Sequence, residues 1–186
     1  MEVLPLPKQS KLSNLSTPLS TRYENTTARL YSPETGTPKK TPHFDKWPVH
    51  CVANTRGANF HEDLNIHPSD IIINKGTGQT DGYSGWEGKS NANETLESII
   101  TPKTPHEKVK VFLGGLATDF CVKSTALDIA KHFKDDRRVT TYLLIDAIRA
   151  VGLTSTAEEE ALSAMKEAGI LAISTEEAKK IIQEAI

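Results

Sequence analysis

Two side chains with the means to do nucleophilic chemistry stand out in this chain, Cys121 and Lys75. Cys121 follows Val111-Phe-Leu-Gly-Gly-Leu-Ala-Thr-Asp-Phe and precedes Val-Lys-Ser-Thr-Ala-Leu-Asp-Ile-Ala130, which reads as a buried strand, a tight turn and the start of a helix. Backbone N–H groups and the dipole at a helix N-terminus favour negative charge, so a cysteine delivered there is placed to act as a thiolate. The same N–H groups can hold an oxyanion formed by attack on a carbonyl. Gly114 and Gly115 allow the backbone to turn and to approach a ligand. The competing reading is inert packing, because free cysteine is among the most buried residue types. Lys75 follows Ile71-Ile-Ile-Asn and places an amine at a strand end, where it either supports an anion or is a solvated surface cation.

These residues need elements to carry them. Residues 71–74, 109–113, 139–145 and 170–173 are rich in β-branched side chains and bounded by turn residues, so they read as buried strands. Residues 121–133 place Val122, Thr125, Ala126 and Ile129 on one helical face, and residues 156–168 do the same with Ala157, Ala161, Ala164, Met165 and Ala168. Strands alternating with helices predict an α/β fold, a mainly parallel sheet covered on both faces, with a site at the carboxyl ends of the strands.

Composition narrows the classes. A length of 186 residues with 37% hydrophobic and 25% charged content fits one globular domain. A net charge of -2 gives no reason to expect nucleic acid or an anionic membrane surface as partner. Two cysteines are too few for a disulfide scaffold, and a working thiol favours a reducing compartment, cytoplasmic or nuclear. No run approaches the roughly 18 apolar residues of a membrane span. Residues 1–42, with scattered Ser, Thr, Pro and Lys and no apolar run, read as a disordered tail ahead of a domain at 43–186. Lys8, Lys11, Arg22 and Arg29 among serines give that tail a faint likeness to a transit peptide.

Gly-Gly-Leu-Ala-Thr-Asp-Phe-Cys-Val-Lys-Ser-Thr-Ala-Leu-Asp at 114–128 resembles the nucleophile motif of the nicotinamidase branch of the isochorismatase-like hydrolases, a family of cysteine amidohydrolases. Three more blocks follow the family's order. Trp47-Pro-Val-His50-Cys-Val-Ala-Asn resembles its pocket and metal block. Ile71-Ile-Ile-Asn-Lys75-Gly with Tyr83-Ser-Gly-Trp86 resembles its lysine strand and pocket loop. Leu144-Ile-Asp146-Ala-Ile-Arg149 resembles the strand that follows the nucleophile helix. The resemblance implies a three-layer α/β/α fold in which the Cys121 thiolate attacks the carboxamide of nicotinamide. Ala117 and Cys121 would supply oxyanion N–H groups after a cis Leu116–Ala117 peptide, and Lys75 would set a positive charge beside the sulfur. Trp47 and Tyr83 would sandwich the pyridine ring. His50 would bind a divalent metal, Zn, Mn or Fe. The products would be nicotinic acid and ammonia, a step of NAD salvage with a small molecule as the partner, and a homo-oligomer stays open.

The N-terminal part departs from that pattern. The family's Asp-x-Gln carboxylate and its Asp-x-His metal pair do not occur in this sequence. His50 alone falls short of the three or so protein ligands of a catalytic zinc site, and His43, His61 and His67 match no metal spacing and read as solvated loop residues. Asp119, Asp128 and Asp146 are the carboxylates available as replacements. Asp119 reads more simply as a helix cap, Asp146 with Arg149 as an ion pair or turn contact, and Cys51 as a packed thiol. Without the family's first strand, the sheet is expected to carry unpaired edges and bare apolar faces. Three functions follow as alternatives: an active amidohydrolase, on nicotinamide or another isochorismatase-type substrate; a catalytically impaired binder of a ligand or partner; or an incomplete version of a longer enzyme.

Overall fold

A computed structural model describes residues 50–77 and 82–185 of the chain. The expected tail at 1–42 and Trp47 lie outside the described residues. Two compact units divide between Asn65 and Ile66. In the first, residues 50–65 form a solvent-exposed loop with one 3-10 turn, Arg56–Ala58, entered through Thr55, whose hydroxyl donates to the Val52 carbonyl at 2.7 Å. Cys51 is exposed there with φ +50°, so the expectation of a packed thiol is not met.

The second unit holds the secondary structure that sequence periodicity predicts. Its core sheet has three parallel strands, β3 (Val109–Leu116), β4 (Val139–Arg149) and β5 (Leu171–Ile173), in the order β3-β4-β5. Helices α2 (Lys123–His132), α3 (Ala157–Glu167) and α4 (Thr175–Gln183) alternate with them. This is the α/β arrangement expected from the alternating strand and helix pattern. Among the described residues no helix is long and apolar enough to cross a membrane.

The apolar stripes explain which faces meet. Val122, Ala126, Leu143, Met165 and Ile170 form one buried cluster, with Leu113, Leu127, Ile148 and Leu162 packed against it. Three members of the stripe expected on α2 and its approach, Val122, Ala126 and Ile129, are buried, and Thr125 is half-buried. On α3, Ala161 and Met165 are buried while Ala168 is exposed. Each large side chain removed from water contributes about 1.5 to 3 kcal/mol. Leu113 and Leu143 are register partners that both enter this cluster, so alternation sends Phe112 and Tyr142 to the opposite face, where their rings stack at 5.1 Å.

The pairing of β3 with β4 is continuous from Val109↔Val139 to Leu113↔Leu143, then slips to Gly115↔Ile148 and Leu116↔Arg149. The bulge coincides with Gly115, whose φ of +111° only glycine adopts readily. The strand ends directly before the cis Leu116–Ala117 peptide.

One strand departs from expectation. Residues 71–74 read as a buried member of the parallel sheet, but the described strand is only β1 (Ile73–Asn74), paired antiparallel with β2 (Lys89–Ser90) in a separate ribbon. Ile71 and Ile72 are exposed at 48% and 39%, so no described segment covers them. With no parallel neighbour among the described residues, the backbone groups of β1 pair with the chain as it returns through the 3-10 turn Gly85–Glu87. A short helix, α1 (Leu96–Ile100), follows, its start fixed by a reciprocal capping box between Thr95 and Ser98.

Candidate active site

Cys121 does not open an α-helix, as residues 121–133 were expected to do. It sits in a π-helical turn, Thr118–Val122, that precedes α2. The Ala117 carbonyl accepts N–H groups from both Phe120 and Val122, at 3.1 and 3.0 Å, and the longer of these loops is the wider i to i+5 closure of a π turn. The geometry still brings the sulfur to the carboxyl end of β3, partly exposed, at the head of a helix.

Lys75 reaches the same place from 46 residues upstream. Its Nζ donates to the Cys121 Sγ at 3.4 Å and to the Gly82 carbonyl at 2.8 Å. The backbone acceptor steers the flexible lysine stem toward the sulfur, and the ammonium lies where a thiolate needs a counter-charge. The expected pairing of these two residues is therefore present, although β1 is not a strand of the core sheet.

A loop from Gly82 to Glu87 borders the pair. Tyr83 is half-buried with its ring 5.4 Å from that of Phe120, the residue before Cys121. Ser84 is buried and accepts the Trp86 N–H at 3.1 Å, closing the 3-10 turn. Trp86 leans on the end of α2, its ring 4.7 Å from His132, and His132 Nε2 meets Glu97 Oε1 at 3.1 Å. Ala117 and Cys121, the expected oxyanion donors, lie at the start of and within the same turn.

Two of the three candidate replacement carboxylates are engaged elsewhere. Asp119 is 5% exposed and is not a helix cap: its two oxygens accept the backbone N–H groups of Val151 and Gly152 at 2.9 and 3.0 Å, tying the turn that carries Cys121 to the loop after β4. The cause is physical, since those two loop N–H groups need acceptors and Asp119 faces them. Asp146 contacts Thr175 rather than Arg149, accepting from its hydroxyl at 2.7 Å and its N–H at 2.8 Å. These bonds, the hydroxyl's first, hold the Asp146 carboxyl below its ordinary value. Asp128 is half-buried on α2, about two turns beyond Cys121.

The metal prediction meets a poor fit. His50 is exposed in the first unit, and among the described residues no group of three His, Cys, Asp or Glu side chains is placed to hold an ion. His61 and His67 make local loop contacts, with Asp63 at 3.7 Å and with Ser69 at 2.7 Å. A groove of about 610 Å³ between β4, β5 and α3, lined by Leu143, Ile145, Leu162 and Met165, contains neither Cys121 nor Lys75.

Sequence reasoning missed Thr125. Its hydroxyl accepts the Gly85 N–H at 2.8 Å and donates to the Cys121 carbonyl at 2.8 Å. The signal was its position four residues after the cysteine, the spacing at which a helical threonine bonds back to a carbonyl.

Comparison with known proteins agrees with the α/β fold. The family model described as Isochorismatase domain matches residues 18–177. The chain is similar to a nicotinamidase of Schizosaccharomyces pombe, 33% identical over 129 residues, which cover 69% of this chain and 54% of the relative. It is 32% identical over 131 residues to a nicotinamidase/pyrazinamidase of Mycobacterium tuberculosis, covering 70% of this chain and 64% of that protein. Among solved structures, a pyrazinamidase of Pyrococcus horikoshii in complex with zinc aligns with a TM-score of 0.54 at 36% identity, over 69% of this chain and 63% of that one. An L. infantum protein in complex with nicotinate aligns with a TM-score of 0.54 at 29% identity, over 72% and 63%. The chain thus spans 54% and 64% of the length of the two curated relatives. A match over most of its residues, on a parallel sheet whose strand end carries a cysteine beside a lysine, makes this chain a member of the isochorismatase-domain family of hydrolases.

Proposed function

We propose that the chain is a nicotinamidase-like amidohydrolase in which Cys121 is the nucleophile, acting on nicotinamide in NAD salvage within a reducing compartment, cytoplasm or nucleus. The observation that carries this reading is the Lys75 amine held 3.4 Å from the Cys121 sulfur by the Gly82 carbonyl. Tyr83, packed on Phe120 beside the nucleophile, supplies one aromatic wall for a pyridine ring. Trp47 is the proposed second wall, and the boundary between a tail at 1–42 and a hydrolase domain at 43–186 belongs to the same proposal.

In this mechanism the thiolate adds to the carboxamide carbon, and the oxyanion is received by the N–H groups of Ala117 and Cys121. The intermediate collapses with cleavage of the C–N bond. The amide nitrogen leaves as ammonia, taking a proton from the Lys75 ammonium. Water then adds to the thioester and the C–S bond breaks; one of its protons restores the Lys75 ammonium, and the other is released as the nicotinic acid ionises to nicotinate. Relatives described as nicotinamidases and a neighbour solved with nicotinate support the choice of substrate.

A second reading, ligand binding without turnover, is favoured by a specific observation. Asp119 and Asp146, two of the three carboxylates considered as replacements, are committed to backbone N–H groups and to Thr175, so neither is available as the activating base.

One assay separates the readings: ammonia release from nicotinamide by wild type and Cys121→Ala, with and without added Zn, Mn or Fe, beside nicotinamide protection of Cys121 from iodoacetamide. Turnover lost in Cys121→Ala supports the hydrolase. Protection without ammonia supports the binder, and absence of both overturns the substrate assignment.

A further inference from the structure

We propose that Thr125 is a positioning residue that sets the register of the pocket loop against the nucleophile, so that one hydroxyl fixes both where substrate lies and where Cys121 stands. A hydroxyl has a single proton. The Cys121 carbonyl can only accept and the Gly85 N–H can only donate, so both bonds, each 2.8 Å, are made together only with the rotor in one orientation. The first bond reaches across 40 residues of sequence and the second across four.

The loop is fastened along its length to the segment that carries Cys121. Gly82 accepts from Lys75, Tyr83 packs on Phe120, Gly85 binds Thr125, and Trp86 meets His132 at the end of α2. Of these contacts, the Gly85 link is a directional hydrogen bond that falls between the two aromatic anchors, so its loss frees the loop to shift against the helix. The loop also lies close to the threonine: a Cβ at Gly85 would stand 3.5 Å from Thr125 Oγ1 and 3.6 Å from its methyl. A shift of the loop moves Tyr83, and through the Gly82 carbonyl it moves the acceptor that aims Lys75 at the sulfur. Small displacements of positioning groups cost rate and binding because the reacting atoms must meet within a narrow geometry.

The proposal rests on the hydrolase reading for its kinetic arm and stands apart from it for its structural arm. Thr125→Val keeps the shape of the side chain and removes both hydrogen bonds, while Thr125→Ser keeps the hydroxyl and removes only the methyl. In Thr125→Val, KM for nicotinamide is expected to rise roughly tenfold with a smaller change in kcat, and the Gly85 amide is expected to exchange its hydrogen roughly tenfold faster. Thr125→Ser is expected to restore both. The proposal is overturned if a folded Thr125→Val protein keeps wild-type KM and Gly85 protection, or if Thr125→Ser behaves like Thr125→Val, which would assign the role to methyl packing. Should wild type release no ammonia, the hydrolase reading fails by itself, and Gly85 exchange with its rescue by serine still decides for or against Thr125.

Discussion

Lys75 Nζ lies 3.4 Å from Cys121 Sγ and 2.8 Å from the Gly82 carbonyl, so the amine is held between the sulfur and a backbone acceptor that keeps it there. A unit charge so close to a developing anion is worth several kcal/mol at an effective dielectric constant of about 20, and much less where solvent screens it. Lys75 and Cys121 are both accessible, so the discounted figure applies. Lys75→Met is expected to slow iodoacetamide alkylation of Cys121 at neutral pH by roughly tenfold, a change of about 1.4 kcal/mol in the barrier. Mass spectrometry of the labelled peptide measures it, and an unchanged rate would show that the lysine does not act on the Cys121 sulfur.

Asp119 predicts a stability effect separate from chemistry. Its nearly buried carboxylate receives two N–H groups from the loop after β4, and truncation to alanine leaves both without their acceptor. Asp119→Ala should lower unfolding free energy by about 2 to 3 kcal/mol in urea titration. If Asp119 only capped a helix, the loss would be nearer 1 kcal/mol.

Gly115 tests backbone geometry in isolation. A Cβ there would meet no atom within 4 Å, so any penalty comes from its φ of +111° and not from crowding. Gly115→Ala is expected to cost about 1 to 3 kcal/mol. Because Gly115 lies directly before the Leu116–Ala117 turn, the proposed nicotinamide site predicts that nicotinamide protection of Cys121 weakens with it. A neutral substitution would show that the bulge relaxes without it.

The Asp146–Thr175 contact carries a pH signature. The Thr175 hydroxyl, then its N–H, depress the folded-state carboxyl from its ordinary 3.8. A depressed carboxyl contributes stability that is present above the unfolded value and is lost as pH falls through the lower folded value. Thr175→Val removes the larger cause. Wild type should therefore exceed the variant in stability by a constant margin above about pH 5, and the margin should shrink as the solution is acidified below about pH 4. A margin independent of pH would mean that the threonine acts by packing alone.

Much of the site was legible in one dimension. Val109 to Ala130 announces a strand, a glycine turn and a helix through its periodicity, and those signals are local, acting over a few residues at a time. Lys75 was identified from its place after an apolar run and from resemblance, and the structure brings it to the sulfur. The helical stripe of Val122, Ala126 and Ile129 is likewise written in the spacing and is buried as expected.

What the tertiary structure decided were the partners. Asp119 meets N–H groups 32 and 33 residues away, Lys75 meets a sulfur 46 residues away, and Thr125 meets Gly85 across 40. No local propensity encodes such pairs, because which acceptor meets which donor depends on how the sheet and its loops close in space. The same reason explains residues 71–74, whose isoleucines have the composition of a buried parallel strand but of which only Ile73–Asn74 forms a strand, antiparallel to Lys89–Ser90. A strand's composition records that it can be buried, and only the neighbours present decide whether it is.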